Sequence, residues 1–455
     1  MKWTALIAVG LSMVARPAFG PVGAGGPETV SPAEAEQAVV ERKLRLAQAY
    51  GYRGERGRAL ELLRQVQVLQ PGNEEAAALV VELWLETWDE QIVAHVESDP
   101  AAIKLKPLDE FVEVKTVGAA LIAGLADRGD ARPYREVAVI APYVRREHAD
   151  ALAKLAKEGD KATMTTAAAL LCVLGDARGD TRARELLMPA LRRGREWGDA
   201  VLLPYATPET LERLLDERGL PTVQTALLNL VYVEGRDALL YVRDFATATE
   251  PNALRAAIRA LIELGEREEA AKAVATYRRL FSDTMASGAL GHYLLVFYAG
   301  LRDRERFFEV FDSGEKELRT PLARMLAAQM CVAAGRRADA EALIKPVLDE
   351  IAAGVEAEPE DADLYYQLAN AIAVAGTDPA RAKGALLDAL RHHPRTSLRP
   401  QIYELLARLY LREGKLDQAG VLADAVVRLY SMEHPRHIAL QRQVATAGKA
   451  TADEQ

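Results

Sequence analysis

Cysteine is nearly missing from this chain: 455 residues carry two, Cys172 and Cys331. Each sits in an apolar run, Leu170-Leu171-Cys172-Val173 and Met330-Cys331-Val332, and reads as an unpaired core thiol. Neither the number nor the spacing supports a disulfide framework, a metal site or a redox site. Aromatic residues are also scarce, at 6%, although half the residues are hydrophobic. That balance suits helices packed through alanine and leucine better than a β-sandwich. Lys and Arg form no dense run, and the formal net charge is −9, which argues against general nucleic-acid affinity. Beyond the N-terminus no apolar run is long enough to span a membrane.

The usual signatures of catalysis are missing too. There is no Gly-x-x-x-x-Gly-Lys phosphate loop, no His-Glu-x-x-His and no Gly-x-Ser-x-Gly elbow. The seven histidines fall mostly at helix ends and turns. His392-His393-Pro394 closes a helix, where a cation suits the C-terminal dipole. His434 and His437 lie three apart, but a metal would need two more ligands, so capping or solvent exposure is the reading. Acidic pairs such as Glu74-Glu75 and Glu268-Glu269 lie near turns and read as solvated faces. No catalytic residue, metal ligand or cofactor is assigned, and the chain reads as non-enzymatic.

What is present is helical periodicity, clearest between Leu364 and Leu429. Ile402, Leu405, Leu406, Leu409 and Tyr410 recur at the spacing that puts one apolar stripe on one helix face. Gly414 interrupts, and Leu416, Ala419, Leu422, Ala423, Val426 and Val427 make a second stripe. The hairpin before it runs Leu364, Leu368 and Ile372, turns at Gly376, continues through Ala382, Leu386, Ala389 and Leu390, and closes at Pro394. Turn glycines then recur at Gly235, Gly265, Gly300, Gly335, Gly376 and Gly414, at intervals of 30, 35, 35, 41 and 38 residues. Unrelated helices would not keep such time.

In these residues the chain resembles the tetratricopeptide (TPR) superfamily, whose repeat of about 34 residues is a pair of antiparallel helices with small residues at fixed places. The matches are Leu406-Ala407, Tyr410, Gly414 and Ala419 in one unit. In another they are Leu368-Ala369, Ile372, Gly376, Ala382, Ala389 and Pro394, and near the N-terminus Leu46-Ala47, Tyr50, Gly54, Ala59, Leu63 and Pro71. Ala369 with Ala382, and Ala407 with Ala419, fall where paired helices approach closest, so a larger side chain would push them apart. The alternative is a generic alanine-rich bundle, but matches repeated in register favour the repeat. The resemblance implies an all-α fold, a right-handed superhelical α-solenoid of TPR-like antiparallel helix pairs.

In chain order, residues 1–24 read as a secretory signal peptide: Lys2 is the positive start, Trp3 to Val14 the short apolar stretch, and Val22-Gly23-Ala24 the small-residue site. Cleavage after Ala24 would make the protein periplasmic or otherwise exported. Residues 25–32 form a Gly/Pro-rich linker, and Ser31, Pro32 and Glu34 are placed to start a helix running to about Tyr52. TPR-like helices are expected over 33–98, with a helix from Ala76 to His95. Residues 99–221 hold register less well. Two helix–turn–helix segments there, around Gly129-Asp130-Ala131-Arg132 and Gly175-Asp176-Ala177-Arg178, are similar to HEAT-type repeats, and Trp197 to Pro208 reads as a loop. Arg-Gly-Asp occurs at 128–130 and 178–180, where inter-helix turns explain it better than adhesion-receptor binding. The repeat array returns over 222–440, lengthened by an acidic linker from Ala352 to Asp361, and 441–455 reads as a flexible tail.

In the TPR family the first helix of each pair lines a concave groove that takes an extended peptide or a partner helix. Carried across, the groove positions are Gln329, then Tyr366, Gln367 and Asn370, then Gln401, Arg408 and Arg412. Amides pair with peptide backbone in both directions and arginines hold carboxylates bidentately. A solvated helix face would also be polar. The resemblance therefore implies protein partners, and the subunit expected is a scaffold of a bacterial cell-envelope machine for motility, secretion or outer-membrane assembly. Bacterial origin is inferred from the short signal and the Ala/Arg-rich usage. Two other classes fit the same residues: a superhelical module serving a peptidoglycan- or glycan-processing enzyme, and a cytoplasmic regulator whose N-terminus is not a signal.

Overall fold

A computed structural model describes residues 31–125, 133–193, 202–204, 206–216, 223–283, 287–313, 318–429 and 434–453. The expected signal peptide, most of the 25–32 linker and the first Arg-Gly-Asp lie outside these residues, as does much of the 197–208 loop. The chain divides into two units, 1–42 and 43–455, and each is described by itself.

In the first unit a helix begins as its residues dictate. Ser31 Oγ accepts the Glu34 N–H at 3.3 Å, while Glu34 Oε2 accepts the Ser31 N–H at 2.8 Å, a reciprocal cap ahead of Pro32. This helix is α1 (Pro32–Tyr52), which continues into the second unit.

The second unit continues with α2 (Arg56–Leu69), α3 (Glu74–His95), α4 (Val114–Leu125), α5 (Pro133–Ile140), α6 (Ala149–Glu158), α7 (Lys161–Val173), α8 (Ala177–Arg193) and α9 (Pro208–Leu215). The array proper holds α10 (Val223–Glu234), α11 (Leu239–Phe245), α12 (Pro251–Glu263), α13 (Arg267–Phe281), α14 (Ser287–Leu301), α15 (Arg304–Phe311) and α16 (Pro321–Ala333). It ends with α17 (Arg337–Ala357), α18 (Ala362–Ala375), α19 (Pro379–Arg391), α20 (Arg399–Arg412), α21 (Leu416–Arg428) and α22 (His434–Asp453). No strand occurs among the described residues.

Local chemistry sets the boundaries. Asn73, Thr320 and Asp378 each accept a main-chain N–H three residues on, and Pro321 and Pro379 occupy the first turn, where a missing N–H costs nothing. Gly235, Gly265, Gly335, Gly376 and Gly414 all take positive φ between paired helices, as do Gly54 and Gly175. Gly300 does not. It lies inside α14, where an added Cβ would sit 2.9 Å from Ile262 Cδ1, and the left-handed turn falls at Arg302, φ 58°. That rung of the glycine ladder is therefore a close helix approach, not a turn.

The fold is TPR-like: antiparallel helix pairs stacked in order, with alanine at the crossings. Ala369, Ala382, Ala407 and Ala419 are all fully buried. One such core gathers Ala328, Cys331, Ala340, Ile344, Val347, Ala371 and Ala375 from α16, α17 and α18. Three stretches differ from expectation. The acidic segment 352–361 is helical to Ala357, so the long interval comes from a long α17 rather than a linker. Residues 441–453 are not a flexible tail but the body of α22, whose Leu440 and Val444 are buried. The second Arg-Gly-Asp lies in the first turn of α8 rather than in the turn before it.

First helices stack on first helices through the array, α10 on α12, then α14, α16, α18, α20 and α22. The row then closes, because α22 also packs on α10. A second closure packs α3 on α19 and bonds it to side chains of α20. There Asp89 Oδ2 takes the Arg399 Nε–H at 2.7 Å and Asp89 Oδ1 the Tyr403 hydroxyl at 2.5 Å, with Asp89 and Arg399 side chains each 2% exposed. Nearby, Glu97 accepts the Tyr410 hydroxyl at 2.8 Å and pairs with Lys383 and Lys415. The segment after α3 is pinned as well. The Lys106 carbonyl accepts both the Trp84 and Trp88 indole N–H groups, at 2.7 and 3.1 Å, and Arg428 reaches the Leu105 carbonyl at 3.3 Å.

Candidate functional site

The turns supply a common register for the first helices. Six residues before the turn residue stand Arg259 on α12, Val296 on α14, Gln329 on α16, Asn370 on α18 and Arg408 on α20. Ten residues before it stand Arg255, His292, Met325, Tyr366 and Glu404. The two positions are four apart, one helical turn, so each helix offers both to the same side.

Of the residues assigned from sequence, Gln329, Asn370 and Arg408 fall on the first line and Tyr366 on the second. Gln401 and Arg412 extend the same stripe of α20 at either end, through Glu404 and Arg408. Gln367 lies one residue off the stripe of α18. Gln329, Gln367, Gln401 and Arg412 are exposed, and Tyr366, Asn370 and Arg408 are half-buried. Sequence reasoning does not single out Arg255, Arg259 and Glu404, and counting back from the turns at Gly265 and Gly414 reaches all three. Arg255 lies over the Tyr293 ring, 4.3 Å from its centroid, which fixes a guanidinium and an aromatic side by side on adjacent first helices. Arg259 and Arg412 are paired with no carboxylate among the described residues.

The α20 end of this face is already engaged. Glu404 Oε1 pairs with Arg408 Nε and with Arg436 Nε, both at 2.7 Å, and Glu404 Oε2 lies 3.4 Å from His437 Nε2. Burial alone would raise the Glu404 carboxyl, but His437, Arg436 and Arg408 together hold it down to about 2. His437 is 1% exposed, so it makes a buried contact with Glu404 where capping or solvent exposure was expected. Tyr232 of α10 belongs to the same neighbourhood: its hydroxyl, pushed up to about 12 chiefly by burial, feels Glu263, Arg436, Arg408 and Arg259.

The two thiols stay apart and free. Burial, reinforced by Asp180 and Asp176, pushes Cys172 up to about 12, and burial also raises Cys331, so neither is a ready nucleophile at neutral pH. At the α7–α8 turn, Arg178 binds Asp176 through two nitrogens and Asp150 through a third, and Asp180 accepts the Thr210 hydroxyl at 3.0 Å. These contacts tie the turn and the start of α8 to α6 and α9.

No family model matches the chain, and no curated protein matches it in sequence. Solved structures similar to it include a tetratricopeptide repeat protein from Parabacteroides merdae, 18% identical, over 58% of this chain and 99% of that one, with a TM-score of 0.29. Yeast Tom70 is similar at 10% identity over 92% of this chain and 97% of its own, with a TM-score of 0.30. The assignment of the fold rests on this chain's own helix pairing and register.

Proposed function

We propose that this protein is a non-enzymatic interaction scaffold that holds a protein partner on the face shared by α12, α14, α16 and α18, and that it serves as an exported subunit of a bacterial cell-envelope assembly. The observation that carries the first part is the register. Arg255, Arg259, Gln329, Tyr366 and Asn370 stand in two parallel lines over neighbouring first helices, and among the described residues Arg259 forms no ion pair. Amides for a peptide backbone, guanidinium groups for carboxylates and a half-buried aromatic suit an extended peptide or a helix carrying acidic side chains. The export part is supported by Lys2, the apolar stretch from Trp3 and Val22-Gly23-Ala24.

The test is affinity purification from the native host, with mass spectrometry of what co-purifies and of the protein's own N-terminus. A discrete partner that is lost with Arg259→Glu combined with Tyr366→Ala, at unchanged thermal stability, is the expected result. A partner set indifferent to that pair of substitutions would sink the face, and an N-terminus still at Met1 would sink the export.

A further inference from the structure

Helix α22 lies against α10, α20 and α21. Its first turn brings Arg436 and His437 to Glu404. One turn on, Leu440 is fully buried, and one turn beyond that Val444 is 7% exposed. Two flanking hydrogen bonds set the angle: Gln441 Nε2 donates to Asp424 Oδ1 of α21 at 2.7 Å, and Arg442 Nη1 donates to the Val233 carbonyl of α10 at 2.8 Å. Gln443, Ala445 and Thr446 face away and are exposed.

The cleft has its own chemical demand. Glu404 is a carboxylate with a 6% exposed side chain, held by Arg408, Arg436 and His437, and without α22 only Arg408 of these three would remain. A buried charge left short of partners is costly, so the cleft selects an occupant that brings a cation. It also presents apolar surface one and two helical turns further along.

We propose that the cleft formed by α10, α20 and α21 is a helix-binding site, that α22 is its resident intramolecular occupant, and that it accepts from outside an amphipathic helix with a basic turn followed by apolar side chains four and eight residues on. This deepens the scaffold reading and rests on it only for the existence of an outside partner. The resident helix sets the threshold for entry, since an outside helix binds in proportion to the fraction of molecules in which α22 has left.

A labelled peptide of residues 434–453 is the probe, added to purified full-length protein and followed by fluorescence anisotropy. The tethered helix competes at an effective concentration on the order of millimolar, so the unmodified protein binds the probe weakly. Leu440→Asp, which puts a charge at a fully buried position, frees the cleft and is expected to tighten probe binding at least about tenfold. Glu404→Gln in that background is expected to weaken it again. A Cβ on residue 420 would lie 3.9 Å from Val444 Cγ1, so a Gly420→Cys, Val444→Cys disulfide locks α22 in place. Oxidation should abolish probe binding and reductant restore it. If Leu440→Asp keeps its helicity and melting behaviour yet binds no tighter, the proposal is overturned. Should that variant fail to fold, hydrogen exchange of the unmodified protein decides: α22 amides exchanging as slowly as those of α20 and α21 would equally overturn it. None of these measurements touches α12–α18, so the cleft can fail while the scaffold face stands, and the reverse.

Discussion

Asp89 shows how much can turn on one residue in a chain made mostly of alanine and leucine. Burial pushes its carboxyl up, while Arg399 and the Tyr403 hydroxyl pull the other way and favour the charged form. Asp89→Ala leaves the Arg399 guanidinium buried at 2% exposure without its counter-charge. We expect a loss of about 3–5 kcal/mol, read as a lower denaturant midpoint at unchanged slope. Replacing both partners together, Asp89→Leu with Arg399→Met, is expected to cost much less, because no orphan charge remains. Equal losses for the single and double variants would mean that shape, not charge, holds α3 in place. Nothing in the local sequence announces this pair. Asp89 sits in an ordinary helical stretch and Arg399 at a helix start 310 residues away, so the contact exists only once the row has been assembled.

At the scale of single elements, most of the chain was legible, and the exceptions have causes. The α18–α21 hairpins, the start of α1 and the span of α3 follow from apolar spacing, a reciprocal cap and turn glycines, all of them local signals. Gly300 misled because glycine serves two ends, positive φ and close approach, and sequence spacing does not separate them. The positions named from sequence are those carried across from a family pattern in three repeats. Glu404, Arg255 and Arg259 share their register, which only the positive-φ turns at Gly265 and Gly414 make countable. Residues 441–455 read as a tail from sequence because that stretch is polar overall, and Val444 is the buried apolar residue that fixes it in α22. The docking of α22 should depend on pH. His434, held down to about 4 by burial and by neighbouring His437, resists protonation when docked, so docking is complete above its ordinary 6.5 and weakens as pH falls toward 4. Glu404, lowered from 4.5 to about 2, adds a second loss as pH falls through that range. A dye on Lys449→Cys should lose anisotropy in two steps on acidification from pH 7. A flat profile down to pH 4 would refute the His434 contribution.

For the whole 43–455 unit, the closures change what a repeat array is expected to do. In an open array each pair feels only its neighbours, and damage spreads locally. Ile402 is fully buried in α20, and Ile402→Ala should cost about 2–5 kcal/mol. Because α3 packs on α19 and is bonded to Arg399 and Tyr403 of α20, we expect faster hydrogen exchange not only in α18–α21 but also in α3, with α6–α8 left as they were. Exchange in α3 that ignores the substitution would show the contact to be energetically idle. The same contact also bears on how this chain can change over generations. Repeat proteins commonly lengthen or shorten by gaining or losing a unit. Packed helices lie about 8–10 Å apart, so one helix pair inserted or deleted between α10 and α20 would carry Arg399 beyond reach of Asp89. A buried ion pair between distant parts of the sequence therefore acts as a ruler that keeps the number of units constant.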